Sequence, residues 1–485
     1  MKAIRLMDVV KYTKAIDYTA KDRQISITSV EFDARKVTPG SLFVPLVGGA
    51  TDGHSYIQQA LDNGAVATLW SADPAQAPSD DLAVVFVDDT LQAFQDLANF
   101  YRRDLNPIVV GVTGSNGKTT TKDMTAMVLQ AKYRVHKTQG NYNNEIGLPY
   151  TLLQMPEDTQ VAVIEMGMSD FGEIKQLSEI AQPEIAAITL IGESHLEFLG
   201  SRAGIAQAKL EILYGLKPNG VLLYPANEPL IESEMPEVDQ PIYLRSFGFT
   251  DHADAFAYDM VEEVDRTYFK TNLEPNVTCT IPVLGAYNVS NALIALSVAE
   301  LLDVPLEQAI FQLANFQLTA NRLEWLTTHQ GARLLNDAYN ASPTSVLAVL
   351  KSLAALNLAP GQRRIAVLGD VRELGEASAQ LHRSLAQGLA PESFERVYLF
   401  GPEIASLYEA LQDRYEASHL FYEPADHSRL IAQLQADLTD KDLVLVKSSF
   451  GTDLLQIVTA LTDKQTLKKK GRATAGSCCA LFCIG

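Results

Sequence analysis

IVVGVTGSNGKTTTKDMTAMVLQAK, residues 108–132, decides the fold class of this 485-residue chain. An apolar strand-like run, a glycine-rich turn and a helical stretch follow one another directly, the order that a phosphate-binding loop requires. We read Gly111 as the first glycine of that loop, with Gly114, Ser115, Asn116 and Gly117 forming its backbone and Lys118, Thr119 and Thr120 opening the helix. Glycines let backbone amides close on phosphates, and a helix N-terminus adds positive potential. Lys118 would then reach the outer phosphates of ATP, and Thr119 would ligate Mg2+.

Outward from this stretch the same grammar repeats. VAVIEMG (161–167), IAAITLIG (185–192) and GVLLYPA (220–226) are short apolar runs separated by helical sequence. Runs of this kind suit central strands of a parallel sheet whose two faces are covered by crossover helices. More alternation and more turn residues over 229–284 predict an antiparallel extension, closed by the helix YNVSNALIALSVAELL. Before Asn106 and Pro107, a smaller α/β unit shows two strand and helix alternations. From about Thr319 onward ARLLNDAY, RRIAVLGD, RVYLFG and DLVLVKSS announce another open parallel sheet. The expected fold is thus α/β in three domains: a small α/β N-terminal domain over 1–104, a central P-loop ATPase sheet over 105–318 and a C-terminal Rossmann-like domain over 319–464. The tail, 465–485, holds Cys478, Cys479 and Cys483 and is expected to be a disordered extension.

A net charge of -20 opposes binding of a long polyanion, so neither nucleic acid nor an acidic membrane is an expected partner. Cys279 is the one cysteine in the body of the chain, and no apolar stretch has membrane-spanning length. We therefore expect a cytoplasmic enzyme with no disulfide framework and no membrane insertion; a monomer is expected as well.

Open parallel sheets bind ligands beyond the carboxyl ends of their strands. Glu165 ends one apolar run, and Glu193, His195 and Glu197 follow another, so these groups are expected to converge on the phosphates. There a carboxylate can hold the magnesium ion that bridges the terminal phosphates. Lys209 is the most informative lysine. It falls four residues after Ile205 and three before Ile212, on the apolar stripe of its helix. Burial lowers a lysine pKa, and a neutral amine beside metal ions can add carbon dioxide to become an anionic carbamate ligand.

Taken in order, FDARKVTPGSLFVPL, DGH (52–54), TGSNGKTTTKDM, TQGNYNNEIGLP, EMG (165–167), GESHLEF, AKLEI, GAYNVSNALIA, ANRLEW, NDAYNASPTS, GDVRELG and KSS resemble the Mur ligase superfamily, and within it the branch that adds a D-alanyl-D-alanine dipeptide. The resemblance implies an ATP-dependent amide ligase acting on UDP-N-acetylmuramoyl-tripeptide and D-alanyl-D-alanine, with ATP as co-substrate and Mg2+ as cofactor. By matched motif positions it implies that Lys118 and Thr119 hold ATP and magnesium, that Glu165 and His195 serve the metal sites, and that Lys209 is carbamylated. Asn291 would approach the adenine, and Arg322 and Asp337 would contact phosphates and ribose. Thr138, Asn141 and Asn144 would line the sugar-nucleotide path, Arg35 and His54 would belong to the UDP end, and Lys447 and Ser449 would meet the dipeptide. The sequence departs from the family pattern at Ala34, where a serine usually precedes the arginine, and at Ser448, where glycine is common. Another ligase of the superfamily with an amino-acid substrate, or a P-loop ATPase of unrelated purpose, stays open at this level.

Overall fold

A segment that is apolar at every position must be covered on both faces, and the middle of the chain meets that demand with one large sheet. In the computed structural model, which describes residues 1–49, 51–78, 82–317 and 321–462, Ile108–Thr113, Val161–Glu165 and Ile185–Ile188 lie side by side and parallel in a nine-stranded sheet. Val135–Lys137 extends it on one side, and Gly220–Pro225 and Ile242–Gly248 extend it on the other, all in parallel. The antiparallel extension expected over 229–284 begins later than its sequence suggested. Ile242–Gly248 and the start of Ala255–Glu262 still join in parallel, and only Thr267–Thr271 and Cys279–Ile281 reverse direction.

Helices Lys118–Leu129 and Ala286–Leu301 cover one face, in a core that includes Val110, Val112, Met124, Val289 and Leu293. The latter helix does not close this region, because Leu306–Ala314 follows and packs against the same core. On the opposite face, Ile174, Leu177 and Ile205 share a single core with Phe94, Leu97 and Tyr101 of helix Thr90–Leu105. That helix belongs to a five-stranded sheet ordered Asp17–Thr19, Ala83–Phe86, Ala65–Trp70, Ser41–Phe43 and Ser29–Glu31, parallel apart from its first strand. The first and central sheets are therefore welded through apolar burial, not merely tethered.

The third sheet has six strands. Arg333–Asp337, Asp442–Lys447, Arg363–Gly369, Arg396–Phe400 and Leu420–Glu423 run parallel, with Glu324–Thr327 antiparallel at the edge. Its two faces bury separate apolar clusters, one of which takes in Leu284 from the middle segment. The boundary expected at 318 and 319 and the tail from 465 lie outside the described residues.

Candidate active site

Strand register brings the loop, a carboxylate and a third segment of the site to one edge. Val112 pairs with Glu165 and Thr113 with Ile188, so the loop after Ile108–Thr113, the Glu165 carboxylate and the segment from Thr189 onward all leave the same sheet edge. Gly111 is not part of the loop. It sits inside the strand, and an added Cβ would press on the side chains of Met166, Ile212 and Pro183 at 3.1–3.4 Å. Its spacing from Gly117 is also one residue longer than the phosphate-loop pattern, so the turn opens at Gly114. Gly114 has φ +145°, and a Cβ there would fall 1.9 Å from Thr189 Oγ1. Gly117 has φ +82° and would meet Asn291 Oδ1 at 2.6 Å. Both positions demand glycine for conformation and for space.

Gly117 caps helix Lys118–Leu129 without a side-chain bond, so the cap itself satisfies none of the first-turn amides. The Lys118 ammonium folds back onto Gly114 O at 2.7 Å. Burial lowers its pKa, the Glu165 carboxylate opposes that fall, and Arg322 reinforces it. Ser115 N–H donates to Leu190 O at 2.9 Å, and Gly192 N–H donates to Ser115 Oγ at 2.9 Å, so two strand-end loops hold each other. Thr119 and Thr120 are buried at the start of the helix.

Glu165 is 2% exposed. Its backbone N–H donates to Thr138 Oγ1 at 3.0 Å, and Asn143 Nδ2 donates to its Oε1 at 2.9 Å. Its Oε2 is buried without any partner. An unpartnered carboxylate oxygen at a phosphate site is the kind of atom that a cation satisfies. Lys209, 2% exposed, lies on helix Arg202–Leu210, where its sequence neighbours Ile205, Ile212 and Leu213 belong to the core. Its pKa falls well below the usual lysine range, first through burial and then through repulsion from Lys118. That repulsion ties the two amines to one locality. Among the described residues, no three His, Cys, Asp or Glu side chains assemble a ready-made metal cage. The donor set instead suits a hard cation that takes few protein ligands and completes its shell from phosphate and water.

The third sheet faces this edge. A cavity of about 210 Å³ lies between the two, lined by Gly117, Thr120 and Asn291 on one side and Arg322, Asp337 and Lys447 on the other. Tyr287 and Asn340 also line it, and the Tyr287 hydroxyl is buried without a partner. Asn291 is fixed from two directions: Oδ1 accepts from Thr121 Oγ1 at 3.0 Å, and Nδ2 donates to Asn288 Oδ1 at 3.1 Å. Lys447 Nζ pairs with Asp337 Oδ2 at 2.5 Å and donates to Asn340 O at 3.0 Å. The Arg322 guanidinium stacks 4.5 Å over the Tyr339 ring. Contacts across the junction are specific: Ser342 Oγ donates to Asn116 Oδ1 at 2.7 Å, and Thr344 Oγ1 donates to Glu193 Oε2 at 2.7 Å. His195, with φ +63°, brings Nδ1 to 2.6 Å from Glu373 Oε2.

The remaining expected residues are distributed as follows. Thr138 is buried behind Glu165, and its carbonyl accepts from Lys122 Nζ at 2.9 Å. Asn141 is exposed, while Asn144 Oδ1 accepts from Gly147 N–H at 2.9 Å, organising the turn before helix Gly147–Leu153. Ser449 Oγ accepts from Arg372 N–H at 3.0 Å and lies away from the cavity lining. Arg35 is mostly exposed and forks onto Asp33. His54 is 6% exposed, with Nδ1 2.6 Å from Asp52 Oδ1 and Nε2 accepting from Ser71 N–H at 3.2 Å. Both of its ring nitrogens are thus used inside the first sheet, which leaves neither free for a ligand. Sequence reasoning singled out neither Asn143, Thr189 nor Tyr287. Asn143 and Tyr287 stood inside quoted motifs, and the middle of TQGNYNNEIGLP was the available signal for the asparagine that holds Glu165.

This arrangement can grip a nucleoside triphosphate between two sheets and set its outer phosphates beside a buried carboxylate and a buried amine. Three family profiles match the chain: the Mur ligase family catalytic domain over residues 26–102, the Mur ligase middle domain over 112–299 and the Mur ligase glutamate ligase domain over 321–450. Over 440 residues the sequence is 41% identical to the UDP-N-acetylmuramoyl-tripeptide–D-alanyl-D-alanine ligase of Bacillus subtilis, spanning 91% of this chain and 94% of that one. The chain belongs to the Mur ligase family. The Escherichia coli ligase of the same name is 32% identical, over 91% of this chain and 95% of that one. Among solved structures, MurF from Acinetobacter baumannii superposes with a TM-score of 0.84 at 27% identity, covering 94% and 98% of the two chains. MurF from Thermotoga maritima in complex with ADP superposes with a TM-score of 0.78 at 27% identity, covering 91% and 98%. The three matched segments agree with a three-domain α/β architecture.

Proposed function

We propose that the chain joins D-alanyl-D-alanine to the terminal carboxylate of UDP-N-acetylmuramoyl-tripeptide, with ATP as co-substrate and Mg2+ as cofactor, in peptidoglycan precursor synthesis. Residues 1–104 would bind the UDP-sugar peptide, 105–318 the ATP phosphates, and 319–464 the rest of the nucleotide. The observation that supports this reading is the cavity lined by Gly117, Asn291, Arg322 and Asp337, next to Lys118, whose charge is felt by Lys209 and which itself feels Glu165 and Arg322.

An amine does not displace oxide from a carboxylate at neutral pH, so the carboxylate must first gain a leaving group. The tripeptide carboxylate attacks the γ-phosphorus of ATP, expelling ADP and forming an acyl phosphate. Lys118 and the amides after Gly117 neutralise the charge that grows on the transferred group. Thr119, Glu165, His195 and a carbamylated Lys209 would hold the metal, which when bound supplies charge neutralisation between the phosphates. Asn143 keeps Glu165 turned with one oxygen free. Asn291, Arg322 and Asp337 orient the nucleotide, and the third sheet covers it so that water does not consume the acyl phosphate. The dipeptide amine then attacks the acyl carbon, a tetrahedral intermediate collapses, and phosphate leaves as the amide forms. Thr138, Asn141, Asn144 and Arg35 remain candidates for the sugar-nucleotide path; Lys447 and Ser449 are candidates for the dipeptide end.

No helix among the described residues is long and apolar enough to cross a membrane. We place the enzyme in the cytoplasm as a monomer, where ATP and both peptide substrates are available. Incubation with ATP, Mg2+, D-alanyl-D-alanine and a UDP-tripeptide ending in lysine or in diaminopimelate should yield the pentapeptide mass with one of the two. Turnover with a single amino acid in place of the dipeptide would assign the chain to another branch of the family.

A further inference from the structure

We propose that Glu373, carried by the third sheet, positions the His195 imidazole of the central sheet, so that domain closure completes a metal ligand as well as a nucleotide pocket. This inference rests on the reading of His195 as a metal ligand. Glu373 Oε2 lies 2.6 Å from His195 Nδ1, and His195 is the one ionic partner that the Glu373 carboxylate has among the described residues. The approach lacks the alignment of a full hydrogen bond. Catalytic contacts of this kind often tighten only when ligand is bound.

Both residues adopt left-handed backbone, φ +63° at His195 and +62° at Glu373, an uncommon conformation for side chains of this size. Two such residues facing each other across a junction mark loops held in place by their surroundings. Glu197 N–H donates to Glu373 O at 3.1 Å, so the main chains of the two loops are joined as well. Gly375 lets them approach, since an added Cβ would lie 3.2 Å from Glu197 Cα. The Glu373 loop is in turn fixed to its own sheet: Arg372 N–H donates to Ser449 Oγ at 3.0 Å, and Val371 N–H donates to His382 Nε2 at 3.0 Å. Where the third sheet goes, the carboxylate goes too.

The chemistry that follows is that of a carboxylate behind a ligating histidine. A carboxylate at Nδ1 keeps the proton there, which leaves the Nε2 lone pair for a cation and fixes the plane of the ring. In an open molecule, His195 would lose that partner. Its cation affinity would then be highest only once ATP has drawn the sheets together.

The test uses the full chain. Mn2+ binding to the complex with a non-hydrolysable ATP analogue is titrated by electron paramagnetic resonance, while closure is followed by small-angle scattering. Glu373→Gln and Glu373→Ala should each weaken Mn2+ binding by about tenfold or more while ligand-induced compaction persists, and Glu373→Asp should recover part of the loss. Unchanged Mn2+ affinity in both variants overturns the proposal. If compaction and Mn2+ affinity fall together, Thr344→Val decides, because it loosens the same junction through Glu193 without touching His195. An equal Mn2+ loss in Thr344→Val reduces Glu373 to a latch and overturns the proposal; a larger loss in Glu373→Gln supports it. His195→Ala separates the two readings. Unaltered Mn2+ binding there removes the metal role of His195, whereas weakened binding there with intact binding in Glu373→Gln removes only the role of Glu373.

Discussion

Lys118 and Lys209 show how environment alone sets two residues of one type apart. Lys118 keeps a carboxylate neighbour, Glu165, and remains suited to meet phosphate as a cation. Lys209 is driven well below the lysine range by burial and by Lys118 itself, which favours the nucleophilic amine that carbon dioxide can trap. Lys118→Ala should reduce pentapeptide formation by at least about a hundredfold, the scale of losing a group that stabilises transition-state charge. Steady-state turnover measures this. Lys209→Ala should be inactive and should recover in part with added formate or acetate; a flat response across a concentration series would exclude the carbamate. The burial of Lys209 was legible from its place on an apolar stripe. The partnership of Asn143 with Glu165 was not, because their contact joins a turn to a strand end and leaves no periodic trace.

At the scale of elements, the loop between strand Ile108–Thr113 and helix Lys118–Leu129 depends on two glycines for different neighbours. Gly117→Ala should raise the KM for ATP by about tenfold or more, because the left-handed backbone and Asn291 both resist a methyl group. Isothermal titration with an ATP analogue would register the same loss. A second element-level case is the seam between strand Ser29–Glu31 and helix Gly147–Leu153. Glu31 is buried there, accepts from Tyr150 Oη at 3.0 Å, and has its pKa raised to about 7 by burial. A carboxyl whose folded pKa exceeds its unfolded value binds more protons in the folded state. Its favourable contribution is therefore present below the unfolded pKa of about 4.5 and is lost as pH rises to about 7. Glu31→Gln should remove that decline and raise stability above pH 7 by up to about 3 kcal/mol. Denaturant midpoints at pH 5 and pH 8 would check it; a variant as pH-sensitive as the parent would refute it.

For the whole molecule, the cavity proposed for the nucleotide lies between sheets. Its walls come from Asn291 and Thr120 on one side and from Arg322 and Asp337 on the other. An ATP analogue should therefore hold the third sheet against the central one, and Asp337→Asn, by breaking the pair with Lys447, should raise the KM for ATP several-fold. Scattering and initial-rate measurements report on the two effects separately. The first sheet should show no comparable motion, since Phe94, Leu97 and Tyr101 share one core with Ile174 and Ile205.

By itself the sequence determined the three α/β units, the phosphate loop and the inward face of Lys209, because apolar periodicity, glycine and helix starts are written in consecutive residues. Only the tertiary structure decided that the nitrogens of His54 are consumed within their own domain and that Glu373 reaches His195. Those facts depend on which surfaces meet when sheets close on one another, and groups far apart along a chain leave no local pattern from which their meeting can be read.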